Sequence, residues 1–356
     1  APFSSSCGDL SDRLAPMKTS RVLPLALLLL GALSPQAAQS CSRVLSNSNG
    51  QAVVVGRTMD LYLDDQAALV LRPRGLEAGG LVSASVANAK RWRVKHGSVG
   101  VMSVGTVLAD GLNERGLNVN LLYLSGSDYG SPSSGKPVIS NLRMAEFVLD
   151  QFATVEEAIA GLAQVQVVSD RILDRDWGLH LSLADRSGRS AVVEFIAGRM
   201  VVHQGNQTRV MTNEPPLAWQ LNNLKRYRPF GGDLPLPGDV DPASRFVRAS
   251  TFLSTLPKAS SAAEAEGNLY GVMKNVAVPA GAEDYSGGQA EDSWVTLWTV
   301  IANLDEGSYA FQLARNPYPI WVELKRLNFG GGGAMRRLDV QSPELTGDVS
   351  ERLNRS

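Results

Sequence analysis

The sequence predicts an α+β fold in which two largely antiparallel sheets pack face to face between pairs of helices. Strand-like and helix-like segments come in blocks, in the order strands, two helices, strands, two helices, strands. Such blocks favour antiparallel sheets with segregated helices, whereas strict alternation would favour a parallel sheet. The 356 residues, 44% of them hydrophobic, are enough to form the core of one large domain.

The individual elements are predicted from hydrophobic periodicity and turn residues. A turn at Asn49-Gly50 precedes the first strand and is typical of a hairpin. Strands are predicted at 52–55, 68–71, 100–107, 117–124, 179–183, 190–196, 200–203, 208–211, 294–304, 309–313 and 320–324. Helices are predicted at 141–152, 154–165, 244–256 and 262–276. The second helix begins with a capping box, in which Thr154 and Glu157 satisfy the first free N–H groups.

Residues 17–40 have the order of a secretory signal peptide. Lys18 and Arg21 precede an apolar run over 22–33, and small residues follow up to Ser40. The apolar run is 12 residues long, too short to span a bilayer comfortably. We therefore expect a cleaved leader, no stable membrane insertion, and a periplasmic or secreted product.

The leader prediction covers residues 1–40, and a translation start at Met17 would leave 1–16 untranslated. Two alternatives stay open: a retained membrane anchor, and a lipoprotein acylated at Cys41. Gln39, two residues before the cysteine, matches a lipoprotein box poorly.

The rest of the chain is expected to form one main domain over 41–328. Four consecutive glycines begin a flexible connector, so residues 329–356 are expected to be a Gly-rich connector and a peripheral C-terminal tail.

Composition excludes several classes of function. The formal charge of −1 gives no reason to expect nucleic acid or an anionic membrane as partner. The three histidines, His96, His180 and His203, do not have the spacing of metal ligands. The sequence lacks a P-loop and a G-x-S-x-G turn. We therefore expect no metal and no cofactor.

Cys41 is the leading candidate for a reactive group. Cys7 and Cys41 are the two cysteines, so cleavage after Ser40 would leave one thiol, on the same residue as a free α-amine. An amine that titrates near pH 8 can accept the thiol proton, so this residue could supply both a nucleophile and its base. A hairpin would return Arg57 and Asp60 to Cys41, where Arg57 could stabilise the thiolate and Asp60 could orient the amine. The alternative is a surface ion pair at the end of a strand.

Several motifs follow Cys41 in order along the chain. They are Gly56-Arg57-Thr58-Met59-Asp60, Asn113-Glu114-Arg115-Gly116-Leu117 with Tyr123, Met211-Thr212-Asn213-Glu214-Pro215-Pro216, Gln220-Leu221-Asn222-Asn223-Leu224, Leu236-Pro237-Gly238-Asp239 with Ser244-Arg245-Phe246-Val247-Arg248, and Trp298-Thr299-Val300 with Asn303-Leu304. Each motif alone is weak, but together they resemble the choloylglycine hydrolase family, which includes penicillin V acylases and conjugated bile salt hydrolases. The similarity covers nearly all of 41–325.

This resemblance implies a four-layer αββα N-terminal-nucleophile hydrolase fold, with a catalytic amidase domain over 41–328. Cys41 would attack an amide carbonyl with its own α-amine as base, beside Arg57 and Asp60. The side-chain amide of Asn213 and the backbone N–H of Tyr123 would bind the oxyanion. Arg245 would complete the polar network.

The resemblance also bears on the substrate. Bile salt hydrolases of the family usually carry Asn where this chain has Tyr123, and Tyr is more typical of penicillin V acylases. The gap of 32 residues between Asn213 and Arg245 resembles the Gram-negative branch of the family. The implied partner is a small-molecule amide: penicillin V or an N-acyl homoserine lactone, with conjugated bile salts as the second choice. A catalytically inactive binding protein is the alternative of another class, and a homo-oligomer is left open.

Overall fold

A computed structural model of the chain describes five segments, 41–82, 88–131, 135–282, 294–330 and 333–356. The predicted leader, at 1–40, lies outside the described residues. Within these segments, no helix has the length and apolar character that crossing a bilayer would require.

The first of two large sheets has seven strands, and Cys41 begins one of its inner strands. Strands and helices are numbered here in chain order. The spatial order is β16 (Val210–Thr212), β1 (Cys41–Ser46), β2 (Val54–Leu61), β17 (Val295–Asn303), β18 (Ser308–Leu313), β19 (Ile320–Glu323) and β21 (Gly347–Asp348). All neighbours are antiparallel except the last pair.

The second large sheet has eight strands and is antiparallel throughout. Its spatial order is β15 (Arg199–Gln204), β14 (Ser190–Ile196), β13 (Leu179–Ala184), β8 (Asn118–Tyr123), β7 (Val107–Asn113), β6 (Ser98–Ser103), β3 (Ala68–Arg72) and β20 (Arg336–Asp339). Three short ribbons pair β4 (Glu77–Gly79) with β5 (Arg91–Arg93), β9 (Val138–Ser140) with β10 (Gln166–Val168), and β11 (Arg171–Ile172) with β12 (Arg175–Asp176).

Helices cover the outer faces of both sheets. The described helices are α1 (Met144–Gln151), α2 (Val155–Leu162), α3 (Leu217–Leu224), α4 (Pro242–Thr255), α5 (Ala262–Val276) and α6 (Ser350–Arg355). Helix α1 packs on β7 and β8 and also contacts α2, whereas α4 and α5 pack on β1 and its neighbours. Apolar side chains of both sheets share one core cluster, so the layers follow the order αββα and the predicted fold class is confirmed.

Local differences from the predicted elements have simple causes. The predicted strand at 100–107 is two strands, because Val104 and Gly105 turn the chain with φ of 45° and 75°. Helix α3 was not predicted, because its N-cap is Pro216, which makes no side-chain hydrogen bond, so the sequence lacks a capping residue such as the Thr154 that begins α2.

The C-terminal segment, expected above to be peripheral, supplies the outermost strand of each large sheet through β20 and β21. Its charged residues lie at the edge, but Val340, Val349 and Leu353 are buried in the core.

Candidate active site

The hairpin of β1 and β2 brings Arg57 to Cys41. The two strands pair antiparallel with Cys41 opposite Met59, and Asn49 closes the turn by accepting from the N–H of Ala52 and donating to its carbonyl, at 2.9 and 2.8 Å. Residues two apart on a strand share a face, so Arg57 and Met59 lie on the same side. Arg57 Nη2 is 3.9 Å from Cys41 Sγ, as the hairpin prediction requires.

Aromatic and backbone contacts hold the Arg57 guanidinium, and no carboxylate of the described segments forms an ion pair with it. Its Nη2 donates to the carbonyl of Leu121 at 3.2 Å and lies 3.3 Å from Met59 Sδ. The guanidinium carbon lies 4.4 Å from the ring centre of Trp298, whose Nε1 donates to Asp65 at 2.8 Å. Nε and Nη1 of Arg57 find no hydrogen-bond partner among the described residues. The ring attracts the cation without supplying a counter-ion, so Arg57 remains available to stabilise an anion beside it.

Cys41 is buried, with 3% of the residue exposed to solvent. Its Sγ is 3.8 Å from Met59 Sδ and 3.8 Å from the carbonyl oxygen of Asp60. Burial raises the pKa of the thiol, and the charge of Arg57 is the largest effect that lowers it. Arg57 is therefore the main group that favours the reactive thiolate.

Asp60 lies beside Cys41 but directs its carboxylate to other partners. Its Oδ1 accepts from Thr296 Oγ1 at 2.5 Å, and its Oδ2 lies 3.8 Å from Arg245 Nη1. Burial raises the pKa of Asp60 to about 7, against the opposing charge of Arg245. Its described contact with Cys41 is through the backbone carbonyl, so its role in orienting the amine stays a prediction.

Asn213 connects the backbone of Cys41 to that of Tyr123. Its Oδ1 accepts from the N–H of Cys41, and its Nδ2 donates to the carbonyl of Tyr123 at 2.8 Å. The reverse amide orientation would place donor against donor and acceptor against acceptor. One N–H of Nδ2 thus donates to the Tyr123 carbonyl, and the second N–H can donate to an oxyanion.

Tyr123 is the last residue of β8, and its carbonyl faces Asn213. In an antiparallel strand, a residue's N–H points to the same side as its own carbonyl. The next N–H, that of Leu124, donates to Gly178 on the opposite side. The Tyr123 N–H is therefore directed to the Asn213 side, where the oxyanion prediction needs it.

Arg245 reaches the site from the first turn of α4 and is fully buried. Its Nη1 donates to the carbonyl of Cys41 at 2.8 Å and to Ser42 Oγ at 2.5 Å, and its Nη2 lies 3.5 Å from Asn213 Oδ1. The structure thus brings the other five predicted site residues together around Cys41.

A pocket, hereafter the Cys41 pocket, adjoins these residues and holds about 540 Å³ of space, including its open mouth. Its polar lining comes mainly from Cys41, Arg57 and Asp60, and the rest is mostly apolar. The apolar side chains include Leu121, Tyr123, Leu142, Ile172, Trp177, Leu179 and Trp294. This combination suits an apolar group attached to a carbonyl that reaches Cys41.

Sequence reasoning missed the residues that support the site from β17. Thr296 binds Asp60, and Trp298 stacks on Arg57. Both contacts depend on the pairing of β17 with β2, in which an irregularity between Thr296 and Trp298 shifts the register. Trp298 belongs to a motif quoted above, but no sequence signal indicated its role.

Comparisons with known proteins agree with this geometry. Residues 41–345 match the model of the family described as linear amide C–N hydrolases, choloylglycine hydrolase family. A penicillin V acylase of Pectobacterium atrosepticum is 32% identical, over 93% of this chain and 94% of its own. A bile salt hydrolase/transferase of Clostridium perfringens is 26% identical, over 78% and 90%. The structure of penicillin V acylase from Agrobacterium tumefaciens aligns with a TM-score of 0.76 and 33% identity, over 88% and 96%.

Proposed function

The chain belongs to the choloylglycine hydrolase family of linear amide C–N hydrolases, and we propose on that basis that it removes the acyl group of penicillin V or of N-acyl homoserine lactones. The observation that carries the proposal is a buried thiol that lines a mostly apolar pocket. Phenoxyacetyl and fatty acyl chains are both apolar, and burying them gains free energy in proportion to the area removed from water.

The proposed reaction begins with the mature amino terminus. Once the leader is removed, the α-amine of Cys41 accepts the thiol proton, and Arg57 stabilises the resulting thiolate. The sulfur attacks the amide carbonyl carbon. The oxyanion that forms accepts hydrogen bonds from the second amide proton of Asn213 and from the N–H of Tyr123.

The intermediate then collapses to a thioester on Cys41. The C–N bond breaks, and the leaving amine takes the proton held by the α-ammonium group. Water next attacks the thioester carbonyl and transfers a proton to the α-amine. The acid is released, and the thiol is restored.

The arrangement of Arg245 suggests how the amine is kept in place. Arg245 holds the Cys41 carbonyl and approaches Asn213 Oδ1, which in turn contacts the Cys41 nitrogen. These contacts restrict rotation of the first residue, so the amine stays near its own thiol.

The proposed setting is the periplasm or the exterior, reached through the leader at 1–40. Fractionation of cells that express the full chain, followed by mass spectrometry of the amino terminus, tests this. An amino terminus at Cys41 in the exported fraction supports export and cleavage. A diacylglyceryl cysteine or a retained leader contradicts it.

A substrate panel tests the activity itself. Penicillin V, penicillin G, short and long acyl homoserine lactones, and glycine- and taurine-conjugated bile salts are compared by kcat/KM on the mature chain. We expect the largest values for penicillin V or acyl homoserine lactones. Faster hydrolysis of bile salts would contradict the proposed substrate and favour the activity named for the relative from Clostridium perfringens. Failure to hydrolyse any of them would favour a binding protein.

A further inference from the structure

We propose that Arg175 forms a subsite for an anionic group, a carboxylate or sulfonate, on the amine portion of the substrate. The inference rests on the proposed amide hydrolysis and specifies which amides the site selects.

Arg175 lies on a short hairpin at the rim of the Cys41 pocket. Strands β11 and β12 pair Ile172 with Arg175, and the turn between them has φ of 52° at Leu173 and 57° at Asp174. Ile172, from this hairpin, and Trp177, immediately after it, line the pocket. The hairpin therefore supplies both part of the apolar wall and the cation beside it.

Aromatic side chains hold the guanidinium in a defined position. Its central carbon lies 4.6 Å from the ring centre of Trp177 and 5.8 Å from that of Tyr62. Its Nη1 donates to the Tyr62 hydroxyl at 3.2 Å. Tyr62 packs on Trp294, a second pocket residue, with ring centres 5.2 Å apart. Arg175 thus lies between Trp177, which lines the pocket, and Tyr62, which packs on the lining residue Trp294. Its guanidinium also interacts with the side chain of Tyr123, a further lining residue, and a guanidinium has five N–H donors, more than these contacts use.

The charge of Arg175 lacks an ion-pair partner in the described part of the chain. Arg171, on the same hairpin, lies 3.6 Å from the carboxylate of Asp176, whereas no carboxylate of the described residues lies within 4.0 Å of Arg175. Arg175 is half-buried, so it loses part of its hydration without gaining a fixed counter-charge. A planar guanidinium held in this way binds a carboxylate with two parallel hydrogen bonds.

The pocket lining determines which end of the substrate carries the anion. The acyl group lies among apolar side chains, where an isolated charge would be costly. The amine portion remains outside the pocket, toward the rim. Glycine, taurine and penicillin-nucleus amides carry an anion there, whereas a homoserine lactone is neutral. The subsite therefore favours the anionic amides over the lactones.

Matched substrates separate this role from simple packing. The mature chain is assayed on phenoxyacetylglycine and its neutral counterpart phenoxyacetylglycinamide, and on the equivalent decanoyl pair. In Arg175→Gln, we expect kcat/KM for the acids to fall about tenfold or more, mainly through KM, because a charge-assisted hydrogen bond is lost. The kcat/KM for the neutral glycinamide substrates should change less than about twofold. Arg171→Gln is the control and should leave both values unchanged.

The ratio of kcat/KM for the glycine substrate to kcat/KM for the neutral glycinamide is measured on one preparation. Partial unfolding of a variant lowers both values equally and leaves their ratio unchanged. Arg175→Lys keeps a point charge without the planar fork and should retain part of the preference for acids. An equal loss of kcat/KM on the glycine and glycinamide substrates, or no loss on either, would overturn the subsite. Hydrolysis of the decanoyl pair alone would contradict the phenoxyacetyl substrate while still testing Arg175. Hydrolysis of neither pair by the wild-type chain would overturn both proposals.

Discussion

Replacing Arg57 with Gln should make the Cys41 thiol markedly less reactive. Nη2 lies 3.9 Å from Sγ, and the guanidinium is stacked on Trp298 and makes no ion pair in the described segments. At an effective dielectric constant of about 20, two unit charges at this distance interact by about 4 kcal/mol. The Gln dipole and entering water would recover part of that energy. We therefore expect the thiolate fraction at neutral pH to fall about tenfold to hundredfold.

Alkylation of the mature chain by iodoacetamide measures this directly. Cys41 is the one cysteine after residue 40, so the signal comes from a single site. The inflection of the rate against pH should move to higher pH in Arg57→Gln. The inflection moves to higher pH because burial already raises the pKa of the thiol, and replacing Arg57 removes the largest effect that lowers this pKa. Hydrolysis should partly recover at high pH, and Arg57→Lys should lie between the variant and the wild type.

Arg43→Gln is a suitable control, because Arg43 lies opposite Arg57 in the register of β1 and β2 and is equally buried. Its guanidinium contacts Asn120 and the carbonyl of Thr208, not the thiol. The electrostatic account of Arg57 is refuted if its replacement leaves the alkylation profile unchanged, or if Arg43→Gln shifts the profile as far.

Three further predictions concern the support of the site and of the fold. Asn213→Ala should lower kcat about 10²–10³-fold by removing an oxyanion donor, and a loss below tenfold would contradict that role. Asp60 has a pKa of about 7 when folded and about 4 when unfolded, so it makes the free energy of unfolding decrease as pH rises between these values. Urea titrations should show a smaller decrease for Asp60→Asn, and an unchanged one would argue against this. Arg72→Ala removes the cation that lies 2.7 Å from the buried Asp150 carboxylate, and urea titrations should show a loss of about 3–5 kcal/mol in the free energy of unfolding; a loss below about 1 kcal/mol would indicate that the pair contributes little.

The parts of the site that are local in sequence could be predicted from it. A turn at Asn49-Gly50 and two strands are enough to return Arg57 to Cys41, because pairing in a hairpin is set by its turn. Asn213 and Arg245 are distant in the chain and were found through motifs that resemble a family. Their contacts with Cys41 arise from β16, which pairs with β1, and from α4, which packs on both.

The residues of β17 that hold the site residues in place could not be predicted, because their positions depend on pairing between distant segments of the chain. Thr296 and Trp298 meet Asp60 and Arg57 only because β17 lies beside β2, and the shifted register decides which side chains face the site. The blocks of strands predicted two sheets. Nothing in them indicated that the C-terminal segment would supply an edge strand to each sheet. The role proposed for Arg175 could not be predicted from the sequence, because its ring contacts and its lack of a carboxylate partner among the described residues depend on the fold.

We propose that Cys41 acts through its thiol together with its own free α-amine. The most direct test compares penicillin V hydrolysis by two matched chains, one beginning at Cys41 and one that retains Ser40 before it. We expect turnover by the first chain and none by the second, because the nitrogen of Cys41 in the second chain is a peptide nitrogen and cannot accept the thiol proton. Equal rates from the two chains would contradict it.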